Sequence, residues 1–498
     1  MFRSEGVSVI PPPSRRLSLF ALICVIYFTV SGGAFGLEPL VGAVGPGVAI
    51  LLIVVTPFVW SLPMALMVAE LATLLPEEGG YYVWVKETLG DFWAVQEAWW
   101  TMGYSLVLMA MLPLVLVTYL DFFIRGAGAT PAHSSVDPVS RWLIVVAIIF
   151  SATTVNLLGA RDVGRLSKIS ASIVVGSFVV LILAWLLRNV EPASVVGAQD
   201  RGSNHTNLLL LGLSYIVFNY SGWDNASTYA GEVDQPQRNY PRAIAVALIV
   251  VILGYLLPVV AGISVTTDPA VWTDGGWPVI ARLISGRWLG GLIAVAGLIS
   301  MWALVNAQLF YLSRLPYALA RDGWLPRGLT KLSADSASPK TAVLCCGCVA
   351  AGLAAFSLGG LAVIQCLLYA PALTLEFLAL ITFRLRLPQV HRPFRVPGGW
   401  WGLSYVCLAP LAFAAVVLFA TLRDWRSFPG QLLVVALVVV SGAAFYFIQR
   451  KNKLPALVHE PSAKADAISD APSMRTEAIA WPFLQKEEKN RGGQWKNS

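Results

Sequence analysis

Residues 216–233 read IVFNYSGWDNASTYAGEV, a polar run set between apolar ones. Leu208 to Ile216 before it is almost wholly apolar, and so is Ala243 to Val260 after it. A polar group in such surroundings costs free energy unless something satisfies it. Asn219, Ser221, Gly222, Asp224 and Asn225 therefore demand partners. What satisfies them decides how the chain folds and what it does.

The surroundings are a bilayer. Of 498 residues, 57% are hydrophobic and 13% charged, with mean hydropathy +0.68; a soluble domain carries about 25% charged residues. A spanning helix needs roughly 20 apolar residues. That length yields about twelve transmembrane helices, near 17–42, 46–74, 93–123, 141–158, 168–187, 206–230, 242–265, 288–318, 341–357, 361–383, 402–422 and 430–448. The expectation is an all-α integral membrane protein.

The net charge of +7 does not point to nucleic acid. Lys and Arg gather in alternate loops and at both ends of the chain, which is the positive-inside pattern. Both termini are thus expected in the cytoplasm of a multi-pass protein of the plasma (cell inner) membrane, with the lipid bilayer as partner. Glu77, Glu78, Glu87 and Asp91 against Lys86 depart from the pattern, but acidic residues weigh little in it. Arg15-Arg16 followed by LSLFALICVIYF has the outline of a signal peptide, yet the apolar run continues into a second half-span. Residues 1–16 read as a cytoplasmic lead-in, 17–449 as the membrane domain, and 450–498 as a disordered cytoplasmic tail.

Chemistry by covalent or metal catalysis finds no support. The four histidines fall in loops or at their edges, and no HExxH, P-loop or GxSxG pattern occurs. Cys345-Cys346-Gly347-Cys348 has no His or carboxylate beside it and reads as buried small hydrophobes. No metal and no cofactor is expected.

The informative feature is internal. The first apolar segment is interrupted by Ser31-Gly32-Gly33-Ala34-Phe35-Gly36, and the sixth by Asn219-Tyr220-Ser221-Gly222. The second lies five segments on, an odd number, so the second unit enters the membrane in the opposite orientation. Interrupted helices at matched positions mark inverted repeats and a midplane site. The repeats would run about 17–187 and 206–383, with two helices beyond them. Used for packing alone, the glycines would only kink their helices.

Breaking a helix in lipid frees backbone groups, and glycine lets a ligand approach them. A half-helix N-terminus near Gly32 and Gly33 suits a carboxylate. Exposed carbonyls near Phe218, Asn219 and Ser221, with Asp224 close by, suit an ammonium. Glu38 follows the first break as Asp224 follows the second, so both are candidates to line one cavity and to attract cations or carry a co-transported proton. Glu70 and Glu376 are expected to pair with loop arginines. Among the nearby aromatics, Trp99, Trp100, Tyr104, Tyr220, Trp223 and Trp302 read first as packing or interfacial belt. Phe218 directly precedes the second break and is the candidate gate.

At these residues the sequence resembles the amino acid–polyamine–organocation superfamily of permeases. The likeness runs through five ordered motifs: SGGAFGLE at 31–38, PEEGGYYVWV at 76–85, GWDNASTYAGEVDQPQRNYPRAI at 222–244, SRLPYALARDGWLPR at 313–327 and HRPFRVPGG at 391–399. The resemblance implies alternating access in a 5+5 inverted-repeat (LeuT-like) fold. It implies backbone contacts to substrate from Ser31, Gly32 and Gly33, gating by Phe218 and substrate recognition by Asp224. Asn219, Ser221, Gly222 and Glu38 complete the candidate site, with Tyr104, Leu108, Trp223 and Gln308 as possible lining. Leu108-Met109 and Gln308 stand where polyamine-type relatives carry carboxylates, and Val174 to Ser177 where many amino-acid permeases carry a lysine. The expected function is a secondary active permease for amino acids or related amines. Polyamine uptake is the alternative, and a transporter-like ligand sensor the alternative of another class.

Overall fold

The computed structural model describes residues 16–125, 136–187, 205–334, 336–355, 361–423 and 429–458. Among them the chain is helical, with isolated bridges and no extended strand. In order the helices are α1 (Leu19–Val30), α2 (Glu38–Val44), α3 (Pro46–Thr56), α4 (Leu62–Leu74), α5 (Tyr81–Leu89), α6 (Asp91–Arg125), α7 (Pro138–Leu158), α8 (Ala160–Leu187) and α9 (His205–Tyr220). There follow α10 (Pro236–Val265), α11 (Trp277–Ser285), α12 (Arg287–Leu312), α13 (Arg314–Arg321), α14 (Lys340–Leu353), α15 (Leu361–Arg386), α16 (Gly399–Arg423) and α17 (Pro429–Val458). The chain divides into two units, Met1–Gln449 and Arg450–Ser498. Of the expected lead-in at 1–16, residues 1–15 lie outside the described residues, and of the tail at 450–498, residues 459–498 do.

Nine of these stretches are long and apolar enough to cross a membrane. Three expected segments behave differently. Those at 17–42 and 206–230 stop part-way: α1 has 12 residues and α9 has 16. At 1.5 Å per residue these reach roughly 18 and 24 Å, short of a hydrocarbon core about 30 Å thick. The segment at 341–357 falls on α14, which has 14 residues.

Burial follows function rather than solvent. α1 packs on α8, α10 and α12, while α12 also packs on α6, α7 and α11, so these two form the centre. Large apolar side chains on α7, α8, α16 and α17 point outward, among them Phe150, Leu187, Phe419 and Val440. That arrangement is costly in water and favourable in lipid. Between α3 and α4 the turn Pro57–Ser61 is widened, because proline supplies no N–H to the ladder. The widening aims Ser61 Oγ at the Tyr220 carbonyl, 3.5 Å away, where α9 ends.

Candidate functional site

α1 ends where Ser31 turns extended and its N–H closes onto the Tyr27 carbonyl. The chain resumes as α2 at Glu38, whose Oε2 accepts from Gly36 N–H (2.6 Å) and whose Oε1 accepts from Tyr119 Oη (2.9 Å). Glu38 thus holds the loop behind the first break. The second break follows α9. Gly222 adopts φ +101°, and a Cβ there would sit 2.6 Å from the Thr29 carbonyl oxygen. Asn219 Nδ2 donates to Gly36 O (3.1 Å) as well as to Tyr215 O (2.9 Å). The two interruptions therefore touch, although 183 residues separate Asn219 from Gly36.

Several backbone groups expected to be free have partners. Asn219 O accepts from Tyr255 Oη (2.7 Å), Gly33 N–H donates to Ser31 Oγ (3.1 Å), and Gly32 O accepts from Ser300 Oγ. Side chains from neighbouring helices take up the groups that the breaks release, as burial in lipid requires.

Between the breaks lies a cavity of about 280 Å³. Ser31, Gly32, Phe218, Asn219, Ser221 and Gly222 line it, with Tyr104, Leu108 and Gln308 from α6 and α12. Gly33, Glu38, Trp223 and Asp224 stand behind the wall rather than on it. Tyr255, Asp274, Gln365 and Tyr369 also line it, and sequence reasoning missed all four. Tyr255 lies on α10, Asp274 in the turn before α11, and Gln365 with Tyr369 on α15, and none carries a motif that would have flagged it.

Tyr369 explains where Asp224 is. Its hydroxyl donates to Asp224 Oδ1 and lies 3.4 Å from Gly222 N. Tyr104 packs edge-on against it, ring centroids 5.5 Å apart. Asp224 thus sits behind a tyrosine pair with two further acids, Glu97 of α6 and Glu376 of α15, each within electrostatic reach of it. The expected loop-arginine partner of Glu376 is absent: none of the ion pairs among the described residues includes it. Its helix places it two turns beyond Tyr369, facing the acids instead of the helix end. Glu70 does meet the expectation, paired with Arg384 and Arg392. Glu97 went unnoticed in sequence because it lies near the start of its segment, yet a carboxylate two turns before Tyr104 was a legible signal. Trp99 stacks on Phe445, and Trp302 donates its Nε1–H to Ser151 Oγ (2.8 Å).

At the Leu17 end, three chain segments close over the core. Leu17 N–H donates to Glu232 O (2.9 Å), Asp234 N–H to Leu17 O (3.0 Å), and Gly79 N–H to Thr228 O (2.8 Å). Arg314 then clasps Glu232 with Nε (2.7 Å) and Nη2 (3.0 Å), both side chains buried. Glu78 lies in the loop beside them. Burial, then the charge of Glu232, push its carboxyl up to about 7, while Arg314 and Arg321 act the other way. An acid whose value is higher in the closed arrangement binds a proton on closing. This contribution to closure is therefore complete at low pH and lost as pH rises through about 7. Hydrogen exchange at residues 227–233, corrected for intrinsic rates, should quicken over that range in the native protein. In Glu78→Gln the dependence should vanish; its persistence would remove Glu78 from the seal.

Comparison with known proteins agrees with this architecture. The family described as amino acid permease matches residues 17–440. A probable polyamine transporter of Arabidopsis thaliana is 31% identical over 442 residues, covering 88% of each chain. The polyamine transporter PUT1 of Oryza sativa subsp. japonica is 33% identical over 445 residues, covering 89% of this chain and 81% of its own. The methylthioribose transporter of Bacillus subtilis is 24% identical over 472 residues, covering 91% and 99%. Two broken helices enclosing a cavity in an apolar helical body, matched over most of its length by an amino acid permease family and by transporters, place this chain: it belongs to the amino acid permease family and is a multi-pass membrane transport protein, not an enzyme.

Proposed function

We propose that the protein is a secondary transporter for polyamines, bound between the two helix breaks and moved by alternating access. The observation that carries this reading is the cavity wall: among the described residues it includes Asp274 and no Lys, Arg or His. An amino acid brings a carboxylate that such a wall has no cation to receive. The N–H of Gly33, expected to cradle that carboxylate, is already engaged by Ser31. A polyamine brings only cations and methylenes, which suit an acidic, aromatic and apolar lining. Several similar proteins are named polyamine transporters. The sequence-based preference for an amino acid rested on carboxylates absent at Leu108-Met109 and Gln308; Glu97 and Glu376 supply carboxyl groups from another turn of α6 and from α15.

The mechanism assigned is that of two inverted five-helix units, α1–α8 and α9–α15, rocking about the breaks, with α16 and α17 outside them and about twelve helices crossing the bilayer. Phe218 is the gate, both termini face the cytoplasm of a plasma-membrane protein, and a proton is the co-transported ion. Saturable uptake of labelled putrescine or spermidine into proteoliposomes, driven by an imposed proton gradient and not by sodium, is the expected result. Uptake of neutral amino acids alone would overturn the substrate; uptake unchanged on deleting residues 450–498 supports transport, whereas binding without flux would favour a sensor. Within this reading Asp224→Asn should raise KM for polyamines about tenfold or more, the scale of one lost charged hydrogen bond. Equal loss for neutral substrates would take Asp224 out of ammonium recognition.

A further inference from the structure

Behind the cavity wall the structure gathers three buried carboxylates, Asp224, Glu97 and Glu376, with no ion pair to any of them among the described residues. Glu97 Oε1 accepts from Thr101 Oγ1 (3.0 Å), but its Oε2 has no hydrogen-bond partner among the described residues, and neither has Glu376 Oε2. Asp224 has Tyr369. Glu376 lies within electrostatic reach of both Asp224 and Glu97, and Glu97 within reach of Asp224. Charges buried in this way are normally paired.

A second observation points at what pairs them. The Tyr104 hydroxyl also lacks a partner among the described residues, though Tyr104 is only 2% exposed. It lines the cavity and lies within electrostatic reach of Asp224, Glu97 and Glu376. Gln365, 7% exposed and on the same wall, leaves its Oε1 unpartnered as well. The unpaired groups therefore straddle the Tyr104–Tyr369 pair, some in the cavity and some behind it. We propose that Asp224, Glu97 and Glu376 form an inner subsite for the terminal primary ammonium of a linear polyamine, entered between Tyr104 and Tyr369. The inference rests on the polyamine reading and assigns residues and a selectivity to it.

The chemistry fits. A primary ammonium offers three N–H donors to three carboxylates, and the two phenol rings offer their faces to a passing cation. A terminus enlarged by alkylation keeps its charge but loses a donor and gains width. The inner subsite therefore selects free primary termini, while the outer cavity with Asp274 senses only charge and chain.

Competition against labelled spermine in proteoliposomes tests this, using spermine and its N,N′-bis-ethyl derivative, which retains every charge. The native protein should prefer free spermine by about tenfold or more, one charged hydrogen bond. Glu97→Gln and Glu376→Gln should weaken spermine by a similar factor and leave the bis-ethyl compound nearly unchanged, so the preference collapses. Equal loss for both compounds, or no loss, overturns the subsite and leaves the transport reading intact. No polyamine binding to the native protein removes both. Should the variants fail to fold, the native chain still decides: free spermine, but not the bis-ethyl compound, should shield Glu97 and Glu376 from a hydrophobic carbodiimide, read by mass spectrometry. Labelling unaffected by spermine overturns the proposal.

Discussion

Glu70→Gln should cost about 3–5 kcal/mol of stability, because it breaks a buried ionic hub rather than a surface pair. Glu70 is fully buried on α4. Its Oε1 accepts from Arg384 Nε (2.7 Å), and its Oε2 from Arg384 Nη2 and from the Val396 N–H (2.8 Å). Arg392 Nε stands 3.2 Å from Oε1. One carboxylate thus joins α4 to the end of α15 and to the loop that leads into α16. Glutamine keeps the shape but leaves two guanidinium groups, 5% and 4% exposed at the side chain, without a counter-charge. Glu77, half-exposed and 3.4 Å from Arg321, is the control; Glu77→Gln should change stability by less than about 1 kcal/mol. Denaturation of both variants in detergent micelles measures the contrast, and similar midpoints would refute it. Replacing Glu70, Arg384 and Arg392 together by apolar residues should cost less than Glu70→Gln alone, since no charge is then stranded.

Gly222→Ala should abolish uptake while the protein still reaches the membrane. Its φ of +101° imposes backbone strain on any residue with a Cβ, about 1–2 kcal/mol. The added methyl would also meet the Thr29 carbonyl at 2.6 Å. That oxygen belongs to the backbone of α1, so it cannot swing aside as a side-chain end would, and overpacking adds about 1–3 kcal/mol. The combined effect pushes the two breaks apart where Asn219 bridges them. Gly286, with φ +85° and nothing within 4 Å of where an added methyl would stand, separates the two causes. Gly286→Ala bears the strain only and should transport at near the native rate. Equal loss of uptake in both variants would show that backbone strain, not contact between the breaks, is what matters.

The pairs of residues show how far local patterns reach. Ser31-Gly32-Gly33 and Asn219-Tyr220-Ser221-Gly222 were legible because polar residues and glycine are conspicuous in an apolar run, whatever surrounds them. Glu70 and Glu376 were not separable in the same way. Both are lone acids late in apolar segments, yet one meets two arginines and the other meets Asp224. Glu38 resembled a cavity acid by its position, and the fold turned it inward onto Gly36 and Tyr119.

The sequence alone determined what depends on composition and on contiguous pattern: a helical body built for lipid, and helices interrupted at two matched places. It did so because the hydrophobic requirement of a bilayer and the cost of unsatisfied backbone act on neighbouring residues along the chain. Only the tertiary structure decided which acids face the cavity and which face an arginine. That choice depends on the rotation of each helix and on partners up to 326 residues away, as for Glu70 and Val396. IVFNYSGWDNASTYAGEV marked a candidate site by itself; Tyr369, Tyr104, Glu97 and Glu376 come near it only because α15 packs against α9 and α6 against α15.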